Sequence, residues 1–240
     1  MKPVKNIIRA CFYFLIIPLL IIYTFFIKKN RRRIIFGPVP MINYKYWSEA
    51  LNKHNYDSIT LVSNVYKIYA KDDFNLYYDD LMPSWLNKIE FMKYAITGPI
   101  FSYLYVVKNA KLINISFIGG FLGNTPIWFL ENFLYKIAGI KIVVTGFGGD
   151  FYMYSKLLDQ SLKQVLLMSY PDMAKKEILI SKKVKYWTKR ADAIINGVQL
   201  DGLGRWSCLP VNMISISNDK IVSLKKKVKR RKVLKMRKRD

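Results

Sequence analysis

Apolar runs alternate with amphipathic segments along the chain after Arg33. Short runs rich in β-branched residues, each suited in length to a strand, lie at 33–40, 58–62, 111–117, 140–145, 191–197 and 213–217. The first of these ranges includes the Gly-Pro loop that follows its strand. Apolar residues recur at helical spacing or in long apolar runs at 44–54, 85–107, 126–138 and 155–190. The stretch 65–83 has no clear period, and we expect a hairpin or loop there. This alternation predicts an α/β fold, a Rossmann-like parallel sheet with helices on both faces.

An uncharged apolar run at residues 10–27 precedes this pattern. As a helix it would be about 27 Å long, close to the thickness of a hydrocarbon core. Basic residues flank it on both sides and no small-residue cleavage site follows, so a membrane anchor is favoured over a signal peptide. Pro18 could kink this helix, which leaves open a monotopic helix that is only half inserted into the membrane. The expected lipid-contacting residues are Phe12, Leu15, Leu19, Ile22 and Phe25.

The basic charge is concentrated in two segments that flank the predicted sheet. The net charge is +24, and residues 225–240 hold eleven Lys or Arg against the single acid Asp240. We therefore divide the chain into an anchor with basic flanks at 1–33, a domain at 34–220 and a basic tail at 221–240. The expected partner is an anionic membrane, with the body on the cytoplasmic side. Nucleic acid is not expected, because the tail has no aromatic residues among its basic ones.

Glycines gather where the predicted strands end. In a parallel sheet these ends share one edge, where ligands bind, so we expect a binding crevice there. Asp150 would supply an acceptor, although a plain strand-to-helix turn with a capping Asp is an alternative. In a later glycine-rich loop, Arg205 would bind a phosphate or carboxylate with two hydrogen bonds. The alternative is a surface loop held by the packing of Trp206 and by an Asp–Arg pair. The candidate substrate-binding residues are Gly37, Pro38, Gly119, Gly120, Gly148, Gly149, Asp150, Asp201 and Arg205.

The sequence lacks the motifs of dinucleotide binding, P-loop nucleotide binding and metal binding. The dinucleotide fingerprint fails because Phe151 occupies its third glycine position, and no Gly-Lys-Ser or Gly-Lys-Thr is present. His54 is the only histidine, and the two cysteines have no metal-ligand spacing. The pairs Asp72–Asp73 and Asp79–Asp80 are adjacent in sequence, which suits no shared ion on a strand. We expect neither a cofactor nor a metal.

Four motifs in order carry a resemblance to a known family. They are Gly37-Pro-Val-Pro, Lys-Ile-Val-Val-Thr-Gly-Phe-Gly-Gly-Asp at 141–150, Ala-Asp-Ala-Ile-Ile-Asn-Gly at 191–197, and Asp-Gly-Leu-Gly-Arg-Trp at 201–206. From about Arg33 to Ser217 the chain resembles the N-terminal domain of GT-B type glycosyltransferases, the large retaining family with bacterial polysaccharide and lipopolysaccharide enzymes. The resemblance implies that this domain binds the acceptor, while a second Rossmann-like domain binds the nucleotide sugar.

Two departures from the family shape the expected function. Phe147 stands where the family commonly has a histidine, and no donor-domain pattern precedes the end at Asp240. We therefore expect the acceptor-side domain of a membrane-associated glycosyltransferase, inactive until a donor domain, for example on a second chain, completes it. Its partners would then be a nucleotide sugar and a glycan or lipid-linked acceptor. The alternative is a non-catalytic membrane-bound binding or scaffold protein on the same fold.

Overall fold

The computed structural model describes residues 2–27, 32–86, 90–146, 150–196, 209–210, 221–222 and 225. Four of the candidate site residues, Gly148, Gly149, Asp201 and Arg205, lie outside the described residues, as do Phe147 and the expected strand at 213–217. The remaining candidates can be placed in the structure.

The element order alternates strands and helices much as the sequence pattern predicts. The strands are β1 Arg33–Phe36, β2 Ser58–Val62, β3 Leu76–Tyr77, β4 Ala110–Ile115, β5 Lys141–Thr145, β6 Ala193–Asn196 and β7 Leu209–Pro210. The helices are α1 Lys2–Phe26, α2 Ile42–Lys53, α3 Tyr78–Leu81, α4 Glu90–Met92, α5 Gly98–Asn109, α6 Glu131–Ala138, α7 Gln160–Ser169, α8 Pro171–Lys175 and α9 Glu177–Arg190. A π-helical segment, Lys93–Thr97, joins α4 to α5.

These strands form one parallel sheet. Its order is β3-β2-β1-β4-β5-β6-β7, and each pair of neighbouring strands is parallel. The first six strands follow the Rossmann order, in which the chain reverses direction across the sheet between β1 and β4. The α/β fold predicted from the sequence is therefore confirmed.

The edge strand β3 departs from the expected hairpin or loop. It pairs parallel to β2, with Leu61 opposite Leu76. Asn75 holds the pair together, because its side-chain oxygen accepts from the Thr60 N–H at 2.9 Å while its own N–H donates to Thr60 Oγ1 at 2.8 Å. A two-residue strand held by one asparagine leaves no periodic signal in the sequence.

Alternate residues of the strands enter two different hydrophobic layers. In β1, Ile35 belongs to a large core shared with α1, α5, α6 and α9, whereas Ile34 and Phe36 pack with Tyr44 of α2. Such alternation follows from the pleat of a strand. The sheet is therefore covered by helices on both faces.

Helix α1 packs along the body through one stripe of side chains. Tyr13, Leu20 and Thr24 are almost fully buried, with exposed fractions of 0%, 2% and 0%. The Tyr13 hydroxyl donates to the carbonyls of Ala95 at 2.9 Å and Ile96 at 3.1 Å. Thr24 shares a hydrogen bond with the hydroxyl of Tyr103 in α5. The first helix is thus part of the core and does not stand apart from the sheet.

The opposite stripe of α1 is apolar and exposed. The five residues expected to contact lipid all lie on this outward surface, with exposed fractions of 39% for Phe12, 79% for Leu15, 62% for Leu19, 53% for Ile22 and 60% for Phe25. The segment Asn6–Phe26 has a mean hydropathy of 2.2 and is long and apolar enough to cross a membrane by length and composition. We call this exposed stripe of α1 the apolar face.

The two stripes of α1 predict opposite outcomes for neighbouring leucines. Leu20→Ala should lower the free energy of unfolding by about 2–5 kcal/mol, because it opens a cavity in the core. Leu19→Ala should change it by less than about 0.5 kcal/mol, since Leu19 does not contribute to that core. Thermal unfolding of both variants in mild detergent measures the difference. Equal effects would show that α1 is not packed on the body in this register.

Candidate functional site

The loop that follows β4 is held by a buried carboxylate. We call residues 116–125 the β4 loop. Glu131, the first residue of α6, is fully buried and accepts from the N–H of Gly120 at 2.9 Å and of Leu122 at 2.7 Å. The hydroxyl of Tyr135 donates to the same carboxylate at 2.9 Å. Sequence reasoning missed this role, because a Glu at the start of a helix is ordinarily a surface residue favoured by the helix dipole.

A buried lysine holds the same loop through its carbonyls. Lys183 of α9 donates to the carbonyl of Ile118 at 2.7 Å and of Gly123 at 2.8 Å, and its ammonium lies 5.7 Å from the centre of the Trp128 ring. Glu131 therefore accepts hydrogen bonds from N–H groups of the β4 loop, and Lys183 donates to carbonyls of the same loop. We call this pair with its hydrogen bonds the loop clamp.

Burial shifts the pKa of both members of the loop clamp toward their neutral forms. Burial raises the pKa of Glu131 to about 7, although the N–H of Leu122, Tyr135, the N–H of Gly120 and the charge of Lys183 act in the opposite direction. Burial likewise lowers the pKa of Lys183 to about 8, and the charge of Glu131 opposes that shift. The protonation of Glu131 therefore changes near neutral pH.

Two of the predicted site glycines allow close contacts within the protein. A Cβ atom at Gly37 would lie 1.9 Å from the carbonyl oxygen of Leu61 and 3.2 Å from the Phe121 ring. A Cβ atom at Gly120 would lie 2.6 Å from Glu131 Oε1. Both glycines are required by these contacts whether or not a ligand approaches them.

The region between β1 and β4 brings several predicted site residues together. The Gly37 N–H donates to Asn114 of β4 at 3.0 Å, and Phe121 of the β4 loop lies against Gly37. The carbonyl of Pro38 accepts from Ser63 at 2.9 Å. Phe121 is buried, so apolar packing fills the described part of this junction. The binding roles of Gly37, Pro38, Gly119 and Gly120 stay predictions.

Asp150 connects the end of β5 to the β4 loop. It is 5% exposed, and its Oδ2 accepts from the Phe117 N–H at 3.1 Å. Burial raises the pKa of Tyr44 well above its ordinary value, and the charge of Asp150 contributes. Asp150 is thus near the predicted crevice, and at least one of its oxygens is used to position a neighbouring strand end.

A cavity of about 510 Å³ opens at the carboxyl ends of β2 and β3. Sequence reasoning missed it because the stretch that forms it has no period. We call it the tyrosine pocket, since four tyrosines contribute to its wall. It is lined by Ser63, Asn64, Val65, Tyr66, Lys67, Tyr69, Lys71, Tyr77, Asp79 and Tyr94.

The wall of the tyrosine pocket combines aromatic rings with hydrogen-bonding groups. The rings of Tyr66 and Tyr69 have centroids 6.1 Å apart, and the ammonium of Lys71 lies 5.8 Å from the centre of the Tyr77 ring. Aromatic faces accept apolar C–H surface, while phenol, amide and ammonium groups hydrogen-bond to hydroxyls. The pocket therefore suits a hydroxyl-rich ligand of the size of a sugar unit or two.

Within the described residues, no group of three or more His, Cys, Asp or Glu side chains is placed to hold a metal ion. His54 lies exposed at the end of α2. Asp79 pairs with Lys93 at 2.6 Å, and Asp73 pairs with Lys45. The aspartates that flank the tyrosine pocket thus have cationic partners from the protein itself.

No protein-family model, curated protein or solved structure matches this chain. The class that the structure itself establishes is an α/β protein with a Rossmann-like parallel sheet and an apolar N-terminal helix. A function has to be argued from the pockets and surfaces.

Replacing Glu131 tests the loop clamp. In Glu131→Gln the amide NH₂ must face the N–H of Gly120 or Leu122, so one buried donor loses its acceptor. We expect a loss of about 1–3 kcal/mol in the free energy of unfolding. Glu49→Gln, an exposed glutamate of α2, is the matched control and should stay within about 0.5 kcal/mol of wild type.

The pH dependence of unfolding provides a second test of the same residue. Because folding raises the pKa of Glu131 from 4.5 to about 7, the folded state binds more protons between these values. The wild type should lose stability relative to Glu131→Gln as pH rises from 5 to 7, by at most about 3 kcal/mol. Denaturant titrations across this range measure it. A difference that does not change with pH would contradict a buried, proton-binding Glu131.

Proposed function

We propose that this protein is the acceptor-binding domain of a membrane-associated glycosyltransferase and that the tyrosine pocket receives the glycan. The observation that carries the proposal is the position of that pocket, at the carboxyl ends of β2 and β3. Ligands of open parallel sheets bind at this edge. The motifs that resemble the acceptor domain of GT-B glycosyltransferases support the same assignment.

Nucleotide-sugar binding is assigned to a separate donor domain. A diphosphate is held by free backbone N–H groups, often at a helix N-terminus. In the described part of the β4 loop, the N–H groups of Gly120 and Leu122 donate to Glu131, and that of Phe117 donates to Asp150. A diphosphate placed there would meet carboxylates in place of donors. These contacts favour an acceptor role for this sheet over a donor role.

The membrane contact is proposed to run along α1 in the plane of the interface. Its contacts with the body extend from Arg9, which donates to the Ala95 carbonyl at 3.1 Å, to Thr24. That distance is about 22 Å along a helix. If α1 crossed the bilayer, the body residues that it contacts, such as Ala95 and Tyr103, would have to enter the bilayer with it. An in-plane helix keeps the contacts and turns only the apolar face toward lipid.

Basic residues strengthen this proposed attachment. Lys2, Lys5 and Arg9 precede the apolar run, and Lys28, Lys29 and Arg31 to Arg33 follow it. Each adds about 1 kcal/mol of attraction when it lies near an anionic membrane surface. The predominance of such lipids in cytoplasmic leaflets favours the cytoplasmic side for the body.

A non-catalytic binding protein is the second candidate. Glu131 occupies the N–H groups of Gly120 and Leu122, which are then not available to a diphosphate. This observation fits a glycan-binding protein that never binds a nucleotide sugar. The two candidates differ in what a partner restores. Sugar transfer on mixing with the product of a neighbouring reading frame that encodes a donor domain supports the enzyme, and its absence supports the binding protein.

Loss of one tyrosine ring tests the glycan assignment. We expect saturation-transfer NMR signals from glucose, N-acetylglucosamine or glucuronic acid with the full chain in detergent. Tyr66→Ala should weaken them at least about fivefold, since aromatic contacts contribute roughly 1 kcal/mol or more each. Tyr56→Ala is the control, because Tyr56 is 57% exposed and does not line the pocket.

The result that contradicts the proposal is equally specific. Equal sugar signals in wild type and Tyr66→Ala would show that the tyrosine pocket does not bind the glycan. Micromolar binding of nucleotide sugars by the isolated chain would make this domain a donor site.

Charges on the apolar face test the membrane contact without disturbing the core. Leu15→Glu combined with Leu19→Glu should reduce co-flotation with phosphatidylglycerol-containing vesicles more than about tenfold, because each leucine loses about 2 kcal/mol of apolar burial. Ile68→Glu is the control, since Ile68 is 80% exposed in the loop after β2. Unchanged flotation of the double variant would exclude the apolar face as the membrane contact.

A further inference from the structure

A second cavity, of about 350 Å³, lies between the start of α1, the β4 loop and α9. It is separate from the tyrosine pocket and shares no lining residue with it. We call it the α1 cavity. It is lined by Asn6, Arg9, Gly123, Asn124, Thr125, Pro126, Trp128, Leu179 and Lys183.

The charged side chains in the wall of the α1 cavity are both cations. Arg9 and Lys183 contribute a guanidinium and an ammonium, Asn6 and Asn124 contribute side-chain amides, and no lining residue is acidic. Each cation is fixed by the protein: Arg9 donates to the carbonyls of Ala95 and Asn124, and Lys183 to those of Ile118 and Gly123. These bonds use only part of the donors of each cation. Two positioned cations with donors to spare suit an anion with several oxygens.

The surroundings of the α1 cavity are apolar and exposed. On the side of α1, Ile8 is 60% and Phe12 is 39% exposed. On the opposite side, Phe129 is 44% and Leu179 is 47% exposed. A site for a free water-soluble phosphate gains nothing from such a border. A lipid headgroup does, because its chains leave the site across apolar side chains while its phosphate meets the cations.

Position relative to the proposed bilayer supports the same ligand. The cavity opens beside the first turns of α1, whose apolar face continues from Phe12 through Leu15 and Leu19. With α1 in the plane of the interface, the first turns and the apolar face lie at one level of the membrane. Trp128 in the cavity wall is a residue type enriched at that level.

We infer that the α1 cavity is a binding site for the phosphate of a membrane lipid, held by Arg9 and Lys183 with the amides of Asn6 and Asn124. The inference rests on the proposed in-plane membrane contact of α1 and does not depend on the glycan proposal. The ligand class is a phosphorylated amphiphile with a net negative headgroup, matched to the two lining cations, and with its chains in the bilayer.

Short-chain lipids below their micelle concentration allow the site to be tested in solution. We propose isothermal titration of the full chain in dodecylmaltoside with dihexanoyl phosphatidic acid, dihexanoyl phosphatidylcholine and inorganic phosphate. The variant is Asn124→Asp, which places a carboxylate at the exposed lining position without touching a described side-chain hydrogen bond. Lys108→Gln is the control: it changes the net charge equally, at an exposed residue near the start of β4, on the opposite edge of the sheet.

Saturable binding of phosphatidic acid by the wild type is expected, with inorganic phosphate at least about tenfold weaker because it lacks the chains. Asn124→Asp should weaken phosphatidic acid at least about fivefold, and Lys108→Gln should leave it unchanged. Equal affinity of the Asn124→Asp variant and the wild type would overturn the site. Inorganic phosphate as tight as phosphatidic acid would overturn the lipid assignment, and phosphatidylcholine as tight as phosphatidic acid would overturn the role of the anion.

Vesicle flotation separates this inference from the membrane proposal on which it rests. Asn124→Asp should bind the short-chain lipid weakly yet still float with vesicles, because its apolar face is intact. Loss of flotation in the Leu15→Glu and Leu19→Glu variant, with short-chain lipid binding retained, supports both proposals. Unchanged short-chain binding in Asn124→Asp, together with lost flotation of the leucine variant, would overturn the site alone.

Discussion

The packing of α1 against the sheet-bearing body determines which stripe of this helix is buried and which is exposed, and so which surface faces lipid in the proposed membrane contact. Tyr13, Leu20 and Thr24 bury one stripe of the helix, and two of them add hydrogen bonds to the body. The opposite stripe is left apolar and exposed over the length of the helix. An isolated apolar helix would be free to cross a bilayer, whereas in the proposed contact a helix held along the body would bring that body to the membrane surface.

The loop clamp links the α1 side of the molecule to the carboxyl edge of the sheet. Glu131 holds the N–H groups of the β4 loop, and Lys183 holds its carbonyls while lining the α1 cavity. Because these loop groups are hydrogen-bonded by buried side chains, removing either Glu131 or Lys183 leaves loop donors or acceptors without partners, which is ordinarily costly. One pair of residues therefore shapes the edge where the sheet would bind sugars and the cavity proposed for a lipid phosphate.

The sequence predicted the repeating parts of this structure and missed the parts that depend on single contacts. Strands β1, β2, β4 and β5 and the apolar helix carry strong periodic signals, and the parallel Rossmann-like sheet follows from them. Strand β3 depends on Asn75, and the β4 loop depends on Glu131, neither of which has a periodic signature. Glycines such as Gly120 were predicted to approach a ligand, but the described contact of Gly120 is with a carboxylate of the protein, which no spacing rule reveals.

The depth of α1 in a bilayer tests the central claim most directly. Spin labels at Leu15 and Ile22, in a background with Cys11→Ser and Cys208→Ser, lie about 10 Å apart along the helix axis. Oxygen and nickel accessibility in phosphatidylglycerol-containing vesicles reports the depth of each label, with a label at the exposed Ile68 as the water-facing reference. An in-plane helix predicts similar shallow depths at both positions. Depths that differ by about 10 Å would show that the helix crosses the membrane and would contradict the account.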